Sequence, residues 1–387
     1  MTYMSKVLLV DTGFSAGPIY SELCHLGYEV HVVGVNPNDC LAKSAKYYWN
    51  IDYSDTSALE KLIDREGYNY LVPGCTDRSY SSCAQVNKGR FPGIESIDVD
   101  IAINNKAHFR AIAQQIGLQV PQVQNADQSD FRWPMIVKPV DAFSGKGITV
   151  IEVEDREALS RAIEDARNAS SQGEFLIEDY VVGELHSHSA FLVEGRVMQD
   201  FIVQENSTAN QFVVDTSRVV CEPSPKLTKT LRQSIEILAK ELKLMDGLIH
   251  TQFIVSKDNV WLIEITRRCP GDLYSKLIEL STGYPYVQSY ISPFIARLPI
   301  KEDELKDFLP VMRHTVTVKE EQIFMAISFK QSILSESWTQ LSLVGDLLKP
   351  SPLSRVGIIF ASANNDAELN LLYEATLRRD LYMIHGQ

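Results

Sequence analysis

Long apolar runs and an excess of basic charge are both missing from this chain of 387 residues. The longest apolar runs, such as residues 7–10, are far too short to cross a bilayer, which argues against a membrane protein. The first residues carry a lysine with no extended apolar stretch behind it, so no secretory signal peptide is expected. A formal net charge of −13 repels phosphate backbones and therefore argues against nucleic acid as the main partner.

Cysteine spacings typical of redox or zinc sites are also missing. The six cysteines form no C-x-x-C pair, and no Cys/His cluster has zinc spacing. Scattered cysteines in a chain without a secretion signal predict reduced thiols and a cytoplasmic location. Cys75 follows a Pro-Gly pair, but no histidine in a recognisable partner motif supports a nucleophilic role for it.

An α/β opening is present, but the glycine motif of dinucleotide-binding enzymes is not. Strands over residues 6–11 and 29–35 flank a turn with Gly13 and Gly17 and a helix, which predicts a parallel sheet. Only these two glycines follow the first strand, so the G-x-G-x-x-G of a free-standing NAD site is absent. The loop 75–78 falls at the carboxyl end of a further strand, where ligand sites of α/β sheets form.

The chain is long enough for two or three packed subdomains. Hydrophobic residues make up 45% and charged residues 22%, proportions that are ordinary for a globular protein. After Pro134 the pattern changes to short strands, with an amphipathic helix expected over 156–169, and after a strand at 175–181 strands dominate to about residue 220. A helix is expected over about 226–242, followed by paired strands at 249–255 and 260–265.

A lysine and a glycine-rich loop lie close together in the middle of the chain. Lys138 falls in a strand of otherwise apolar residues, and a buried ammonium requires a neutralising partner such as phosphate. The alternative is a lysine whose head reaches solvent from a sheet face. The loop Ser144, Gly145, Lys146 and Gly147 follows, and its glycines allow backbone N–H groups to approach an oxyanion. The alternative for this loop is a plain β-turn.

A carboxylate marks the second strand of the hairpin that residues 249–268 predict. Glu264 is flanked by apolar residues and therefore needs a metal, a cation or a proton. A magnesium ion bridging ATP phosphates fits, because Mg²⁺ takes few protein oxygens and completes its shell with phosphate. Gln252 is expected on the same face, and Arg268 could face the same anions. The alternative is a structural ion pair between Glu264 and an arginine.

Taken together, these motifs resemble the ATP-grasp superfamily, especially carboxylate–amine ligases such as L-amino-acid ligases. The resemblance covers nearly the whole chain and implies an α/β and α+β architecture. A parallel α/β pre-ATP domain is expected over 1–103 and an ATP-grasp domain over 104–300. The ATP-grasp domain would divide into a small lobe at about 120–182 and a large lobe at 183–300, with a small C-terminal lobe over 301–387.

The resemblance also implies a nucleotide site. The residues expected to bind ATP are Lys106, Lys138, Ser144, Gly145, Lys146 and Gly147, the hinge residues Glu178, Asp179, Tyr180 and Val181, and Glu184. In the family the hinge holds adenine largely through its backbone. The glutamate that binds ribose in the family falls where this chain has Leu185, and Glu184, one residue earlier, is expected on the opposite strand face.

The metal and catalytic residues implied by the resemblance depart from the family pattern at two positions. Mg²⁺, or alternatively Mn²⁺, is expected at Gln252, Glu264 and Thr266. Gln252 replaces the usual first carboxylate, as in carbamoyl phosphate synthetases, and Thr266 replaces an asparagine. The catalytic candidates are Arg268, Lys138, Ser144 and Gly145, and the substrate-binding candidates are Arg218 and Arg268. For Arg218 the alternative is a surface salt bridge.

The implied reaction is ATP-dependent ligation of two small molecules, a carboxylate and an amine. The carboxylate attacks the γ-phosphate to form an acyl phosphate, and the amine then displaces phosphate; cations offset the anionic repulsion. One alternative is a different acceptor in nucleotide or carbamoyl-type metabolism. Another is a nucleotide-binding module that has lost catalysis, because Gln252 is neutral. A homodimer is one option for its assembly, and substrate identity rests on variable loops.

Overall fold

The computed structural model describes residues 5–142, 145–257, 259–301 and 308–386, and the structural statements below concern these residues. Its strands are β1 (Lys6–Val10), β2 (Glu29–Gly34), β3 (Tyr47–Asn50), β4 (Tyr70–Pro73), β5 (Val123–Gln124), β6 (Met135–Pro139), β7 (Thr149–Ile151), β8 (Phe175–Asp179), β9 (Glu184–Val193), β10 (Arg196–Asn206), β11 (Thr216–Val219), β12 (Gly247–Ser256), β13 (Asn259–Thr266), β14 (Val311–Val316), β15 (Gln322–Phe329), β16 (Leu334–Gln340), β17 (Leu347–Leu348), β18 (Gly357–Ser362) and β19 (Tyr382–Gly386). Its α-helices are α1 (Gly17–His25), α2 (Cys40–Ser44), α3 (Thr56–Glu66), α4 (Asp77–Asn87), α5 (Ile97–Asn104), α6 (Lys106–Gln115), α7 (Arg156–Ala169), α8 (Pro225–Leu242), α9 (Tyr274–Thr282), α10 (Tyr286–Ile291) and α11 (Asp366–Leu377). Two short 3₁₀ helices cover Phe14–Ala16 and Ser292–Ile295.

The N-terminal part is a parallel α/β unit. Its four strands pair in the order β3-β2-β1-β4, and every pairing is parallel. The apolar sequence of β1 is buried over four of its five residues, as expected of a strand covered by helices on both faces. The helix α4 begins at the carboxyl end of β4, where the Thr76 hydroxyl accepts from the Ser79 N–H. This confirms the parallel pre-ATP unit predicted from the sequence.

A second, antiparallel sheet forms a small lobe with one long helix. Its strands pair in the order β5-β8-β6-β7. The helix α7 buries Leu159, Ala162 and Ala166, which repeat at near-helical spacing and so form one apolar face. That face packs on Val137 and Ile177 of the sheet. The sheet, its helix and the glycine loop make up the smaller half of the cleft.

The largest sheet has eight strands and continues beyond the predicted boundary at residue 300. Its order is β13-β12-β9-β10-β11-β14-β18-β16. Backbone hydrogen bonds between β11 and β14 join Thr216 to His314 and Arg218 to Met312, so strands from both sides of residue 300 share one sheet. The rest of the C-terminal region is a small sheet in the order β17-β15-β19, with α11 beside it.

The two faces of the eight-stranded sheet have different neighbours. On one face, Ser187, Gln252 and Glu264 lie side by side on β9, β12 and β13. The opposite face is apolar around Ile202 and packs against α8. Because side chains alternate along a strand, this register fixes which residues face the cleft. None of the helices in the described ranges is both long and apolar enough to cross a membrane.

Candidate nucleotide and metal site

The first lysine predicted to bind nucleotide lies at the start of a helix that points into the cleft. Asn105 caps α6 by accepting from two backbone N–H groups, which leaves Lys106 as the first helical residue. Its Nζ lies 2.8 Å from Glu264 Oε1 and donates to the carbonyl oxygen of Ala142 at 3.3 Å. The start of α6 therefore contacts β13 through the Lys106–Glu264 ion pair.

Glu264 is ionised at that position. Burial opposes its ionisation, but the Lys106 ammonium and a hydrogen bond from it bring the pKa of Glu264 below its usual value. The carboxylate is only half-buried, in contrast to its lysine partner. One of its oxygens is paired with Lys106, and 44% of the side chain is exposed.

The second predicted lysine lies in a different environment. Lys138 is buried, and its Nζ is 2.5 Å from Glu178 Oε2. The same carboxylate accepts from Arg110, whose Nη2 also donates to the Ile263 carbonyl at 2.8 Å. Burial lowers the pKa of Lys138 and is only partly opposed by Glu178. Within the cluster, Glu178 neutralises the lysine that the sequence assigned to phosphate.

The predicted hinge is held by hydrogen bonds of both its backbone and its side chains. The Asp179 N–H donates to the Gln122 carbonyl and the Tyr180 N–H to the Pro134 carbonyl, each at 3.0 Å. The Asp179 carboxylate accepts from Gln124 and from Arg132 at 2.9–3.0 Å. These side-chain contacts hold the segment in place. Val181, next along the chain, is half-buried.

The glycine loop connects β6 to β7, which are antiparallel, as the sequence predicted. Ser144 lies outside the described residues. Gly145 and Gly147 have φ angles of +72° and +71°, a left-handed conformation that favours glycine. A Cβ at Gly147 would lie 2.5 Å from Ala169 Cβ on α7, so a side chain does not fit there. Lys146 between them is exposed.

Arg268 connects the metal strand to the N-terminal unit. Its Nε and Nη2 donate to the two oxygens of Asp77, each at 2.9 Å, in a two-pronged ion pair. The Thr266 hydroxyl donates to the same carboxylate at 3.1 Å. Although burial opposes it, the contact with Arg268 lowers the pKa of Asp77. Asp77 comes from the loop that the sequence placed at the carboxyl end of a strand.

Buried hydroxyl and imidazole groups lie beside Gln252 on the same sheet face, which is called the floor below. The Ser189 hydroxyl hydrogen-bonds His250 Nδ1 at 2.9 Å and the Tyr286 hydroxyl at 3.0 Å. Burial, together with the nearby Arg268 charge, lowers the pKa of His250 to about 3, so its ring stays neutral. The Ser187 hydroxyl contacts the Tyr274 hydroxyl at 2.8 Å. These hydroxyl and imidazole groups hydrogen-bond one another.

A second carboxylate lies on the same floor. Glu205 on β10 is buried, and Gln252 Nε2 donates to its Oε2 at 2.9 Å. Burial raises the pKa of Glu205, and hydrogen bonds from Ser187 and Gln252 oppose that shift. Glu205 was not among the residues predicted from the sequence.

Two predicted side chains lie away from this floor. Arg218 donates to Gln204 Oε1 at 2.8 Å and to Asn370, and its guanidinium lies 4.5 Å from the centre of the Tyr373 ring. These partners lie on the face covered by α11, so the structure does not bring Arg218 to the cleft. Glu184 is exposed at the start of β9, one residue before Leu185, and therefore faces away from Ser187.

A different arginine reaches the cleft face near Glu205. Arg313 on β14 is buried, and its Nη2 donates to the Ser217 hydroxyl at 2.9 Å. Its Nη1 lies 3.5 Å from Asp272 Oδ2, and its Nε has no hydrogen-bond partner. A buried guanidinium with an unused donor is suited to bind an anion. The sequence signal for Arg313 was a charged residue within a short strand, whereas Glu205 lies between Gln204 and Asn206 and gives no such signal.

The donors present fit a magnesium ion that takes most of its ligands from phosphate. Within the described ranges, no three His, Cys, Asp or Glu side chains are grouped to hold a metal ion by themselves. Glu264 supplies one ionised, half-open carboxylate, and Gln252 lies directly opposite it on the neighbouring strand. Mg²⁺ prefers such sparse oxygen sites next to substrate phosphates. Thr266 is less suited, because its hydroxyl hydrogen is directed to Asp77.

Comparisons with known proteins agree with this geometry. Residues 131–276 match the ATP-grasp domain family. A formate-dependent phosphoribosylglycinamide formyltransferase of Thioalkalivibrio sulfidiphilus is 26% identical over 306 residues, which cover 72% of this chain and 73% of that protein.

Solved structures share the fold over the whole length. The L-amino acid ligase from Bacillus licheniformis superposes with a TM-score of 0.79 at 18% identity. The phosphoribosylglycinamide synthetase from Anaerococcus prevotii superposes with a TM-score of 0.78 at 15% identity. Both comparisons cover 100% of each chain. Residues 131–276 therefore match the ATP-grasp domain family, and the chain as a whole shares its fold with these two ligases.

Proposed function

We propose that this chain uses ATP to convert a small carboxylate into an acyl phosphate and joins it to an amine, releasing ADP and phosphate. The observation that carries the proposal is the pair of Lys106 and Glu264 at the cleft, 2.8 Å apart and half-open on the carboxylate side. The Lys106 ammonium would bind the nucleotide phosphates, and the Glu264 carboxylate would bind their metal ion. The six free cysteines further support a reducing, cytoplasmic location.

The nucleotide would lie between the small lobe and the eight-stranded sheet. The hinge backbone at 179–181 would receive adenine, and the glycine loop would cover the phosphates with its N–H groups. Glu264 and Gln252 would hold Mg²⁺, which supplies positive charge to the phosphate oxygens when bound. Lys106 would then transfer its hydrogen bond from Glu264 to a phosphate oxygen.

The chain's own residues would act by position and charge. Two anions must approach each other for the carboxylate to attack the γ-phosphate, and fixed cations lower that barrier. Asp77 binds Arg268 just beyond the end of β13, and this ion pair fixes the position of the arginine charge. Lys138, paired with Glu178, would contribute by fixing β6 against β8 under the nucleotide. Closure of the loop would exclude water from the acyl phosphate.

Arg313 is the substrate-binding candidate that the structure favours over Arg218. Its buried guanidinium lies on the same sheet face as Glu205, and its Nε has no hydrogen-bond partner. A carboxylate bound there would be oriented by a charge-assisted hydrogen bond. Asp272, which pairs with both Arg313 and Arg355, holds this region in place.

A second candidate uses formate and a ribonucleotide amine. It is favoured by the relative from Thioalkalivibrio sulfidiphilus, whose name describes formate-dependent formyl transfer to phosphoribosylglycinamide. Formate and an amino acid share the carboxylate that Arg313 would bind. Formate and an amino acid differ in size. A test of substrates therefore distinguishes the two candidate functions, although their reaction chemistry is the same.

The test is a matrix of carboxylates and amines with MgATP, read out as phosphate release and as the mass of the condensed product. The matrix contains amino-acid pairs and also formate with phosphoribosylglycinamide. We expect phosphate release that depends on both substrates, and its loss in Glu264→Gln. The Arg218→Ala variant serves as the control, because that arginine lies on the opposite face. If no pair gives a condensed product while nucleotide still binds, the chain is a binding module.

A further inference from the structure

Gln252, the neutral residue opposite Glu264, has a carboxyl neighbour, Glu205, two strands away in the sheet. Gln252 on β12 lies opposite Glu264 on β13 and opposite Ser187 on β9. Beyond β9 lies β10, from which Glu205 reaches back over Ser187 to accept the Gln252 Nε2 hydrogen at 2.9 Å. The position where the family pattern has a carboxylate therefore holds an amide bonded to a carboxylate.

That hydrogen bond determines how the amide is turned. The amide donates through its Nε2 to Glu205 Oε2, so its nitrogen is directed toward β10. The amide oxygen then points away from β10. Because β12 lies between β9 and β13, the strand on the other side carries Glu264. Glu205 is only 4% exposed, and this burial restricts its hydrogen bond with Gln252 to one geometry.

We propose that Glu205 is a positioning residue that turns the Gln252 amide, so that its carbonyl oxygen joins Glu264 in holding the metal. This inference rests on the proposed function, because it requires a metal at Glu264. It also explains why a neutral residue stands at 252. A glutamate there would place two carboxylates within hydrogen-bonding distance of each other in a buried place, where both cannot be ionised. The one carboxyl group of this pair is therefore at position 205.

The consequence is a coupling between positions 205 and 252. Gln252→Glu, which would restore the usual family residue, is expected to weaken the metal site and not strengthen it. Exchanging both residues, as Glu205→Gln with Gln252→Glu, places a carboxylate on β12 and an amide on β10. The new amide then donates to the new carboxylate, and the metal site regains its oxygen.

The experiment measures the Kd of ADP by calorimetry with excess Mg²⁺ and with a chelator, for the intact chain and five variants. The Kd with chelator divided by the Kd with Mg²⁺ measures how much the metal tightens ADP binding. The metal-free Kd reports whether the nucleotide site has folded. Glu205→Leu and Gln252→Glu should each reduce that ratio by about tenfold. Glu205→Gln, which can still accept, and the exchanged pair should stay within about threefold of the parent. Gln204→Leu, next to Glu205 on the opposite face, should change nothing.

Two results would overturn the inference. One is a Glu205→Leu ratio equal to that of the parent, and the other is an exchanged pair that is no better than Gln252→Glu alone. If Glu205→Leu does not fold, the comparison of Gln252→Glu with the exchanged pair decides. If the parent itself shows no difference with and without Mg²⁺, the proposed function fails at its metal site. A parent that depends on Mg²⁺ with unaffected 205 variants rejects only the role of Glu205.

Discussion

Two lysine–glutamate pairs lie within one cleft, and they differ in how they are enclosed. Lys138 and Glu178 have side chains that are 5% and 1% exposed, and Arg110 completes the cluster. Lys106 is 8% exposed, whereas its partner Glu264 is 44% exposed. In the first cluster one buried carboxylate pairs with both cations, and Arg110 Nη1 has no hydrogen-bond partner. The second leaves part of a carboxylate open to the cleft and can therefore bind an additional partner.

This difference separates structural charge from functional charge. A fully buried ion cluster is costly to disrupt, because removing one partner leaves an uncompensated charge in the interior. A half-open pair tolerates the loss of a partner, since water reaches the remaining group. We therefore expect substitutions in the first cluster to change stability, and those in the second to change ligand binding.

The largest expected effect is that of Glu178→Gln. The substitution leaves Lys138 and Arg110 buried with a neutral partner, and the free energy of unfolding should fall by about 3–5 kcal/mol. Urea denaturation measures this. Glu264→Gln is the matched control and should cost only about 1 kcal/mol. Equal losses in the two variants would contradict the distinction between the pairs.

The two lysines provide the next comparison. Lys106→Met should weaken ADP binding by roughly 1.5–3 kcal/mol, because a charge-assisted phosphate contact is lost, with little change in stability. Lys138→Met should lower the free energy of unfolding by about 2 kcal/mol, because Glu178 keeps only Arg110. Calorimetry and denaturation on the same two proteins measure both quantities. Identical profiles for the two variants would show that both lysines have one role.

A third carboxylate, on the other face of the sheet, contributes stability that depends on pH. Asp200, on the face opposite the cleft, accepts from His188 and Arg232. Although burial opposes ionisation, these partners lower the pKa of Asp200 to about 2. A lowered pKa gives stability that is fully present above the unfolded value of 3.8 and is lost as pH falls toward 2.

The prediction is that Asp200→Asn flattens the loss of stability between pH 4 and pH 2 by about 2 kcal/mol. Its effect on metal-dependent ADP binding at neutral pH should be nil, since the residue does not face the cleft. Denaturation at several pH values measures the first, and calorimetry the second. An unchanged pH profile would show that Asp200 is not ionised in the folded protein as described.

The smallest expected effect is that of Arg218→Ala. Its contacts with Gln204 and Asn370 lie on the face that α11 covers, so turnover and nucleotide binding should be unchanged. Loss of these contacts should cost about 1 kcal/mol of stability. Arg313→Ala is the contrasting variant and should raise the KM of the carboxylate substrate. If Arg218→Ala raises that KM instead, the two faces have been assigned in the wrong order.

The sequence predicted the fold well because its signals are local. The parallel opening follows from an apolar strand, a glycine turn and a helix, and the cleft hairpin follows from two adjacent strands joined by a short turn. Isolated charges in apolar strands identified Lys138 and Glu264 as residues that need partners. In both cases the structure supplies a partner.

The identity of those partners was beyond the sequence, because they are distant in the chain. Glu178 is separated from Arg110 by 68 positions, and Arg268 from Asp77 by 191. Strand alternation places Ser217, and not Arg218, on the cleft face, but reading this from sequence requires the exact start of a four-residue strand. The pairing of β11 with β14 across residue 300 joins strands that are likewise distant in the chain.

The most direct test of the account is the Mg²⁺ dependence of ADP binding in the parent chain and in Glu264→Gln. If the half-open carboxylate holds the metal, Mg²⁺ should tighten ADP binding to the parent by about tenfold or more. In Glu264→Gln, binding without Mg²⁺ should remain and the tightening by Mg²⁺ should disappear. An equal tightening in both proteins would contradict the placement of the metal at Glu264 and, with it, the functional reading of the Lys106–Glu264 pair.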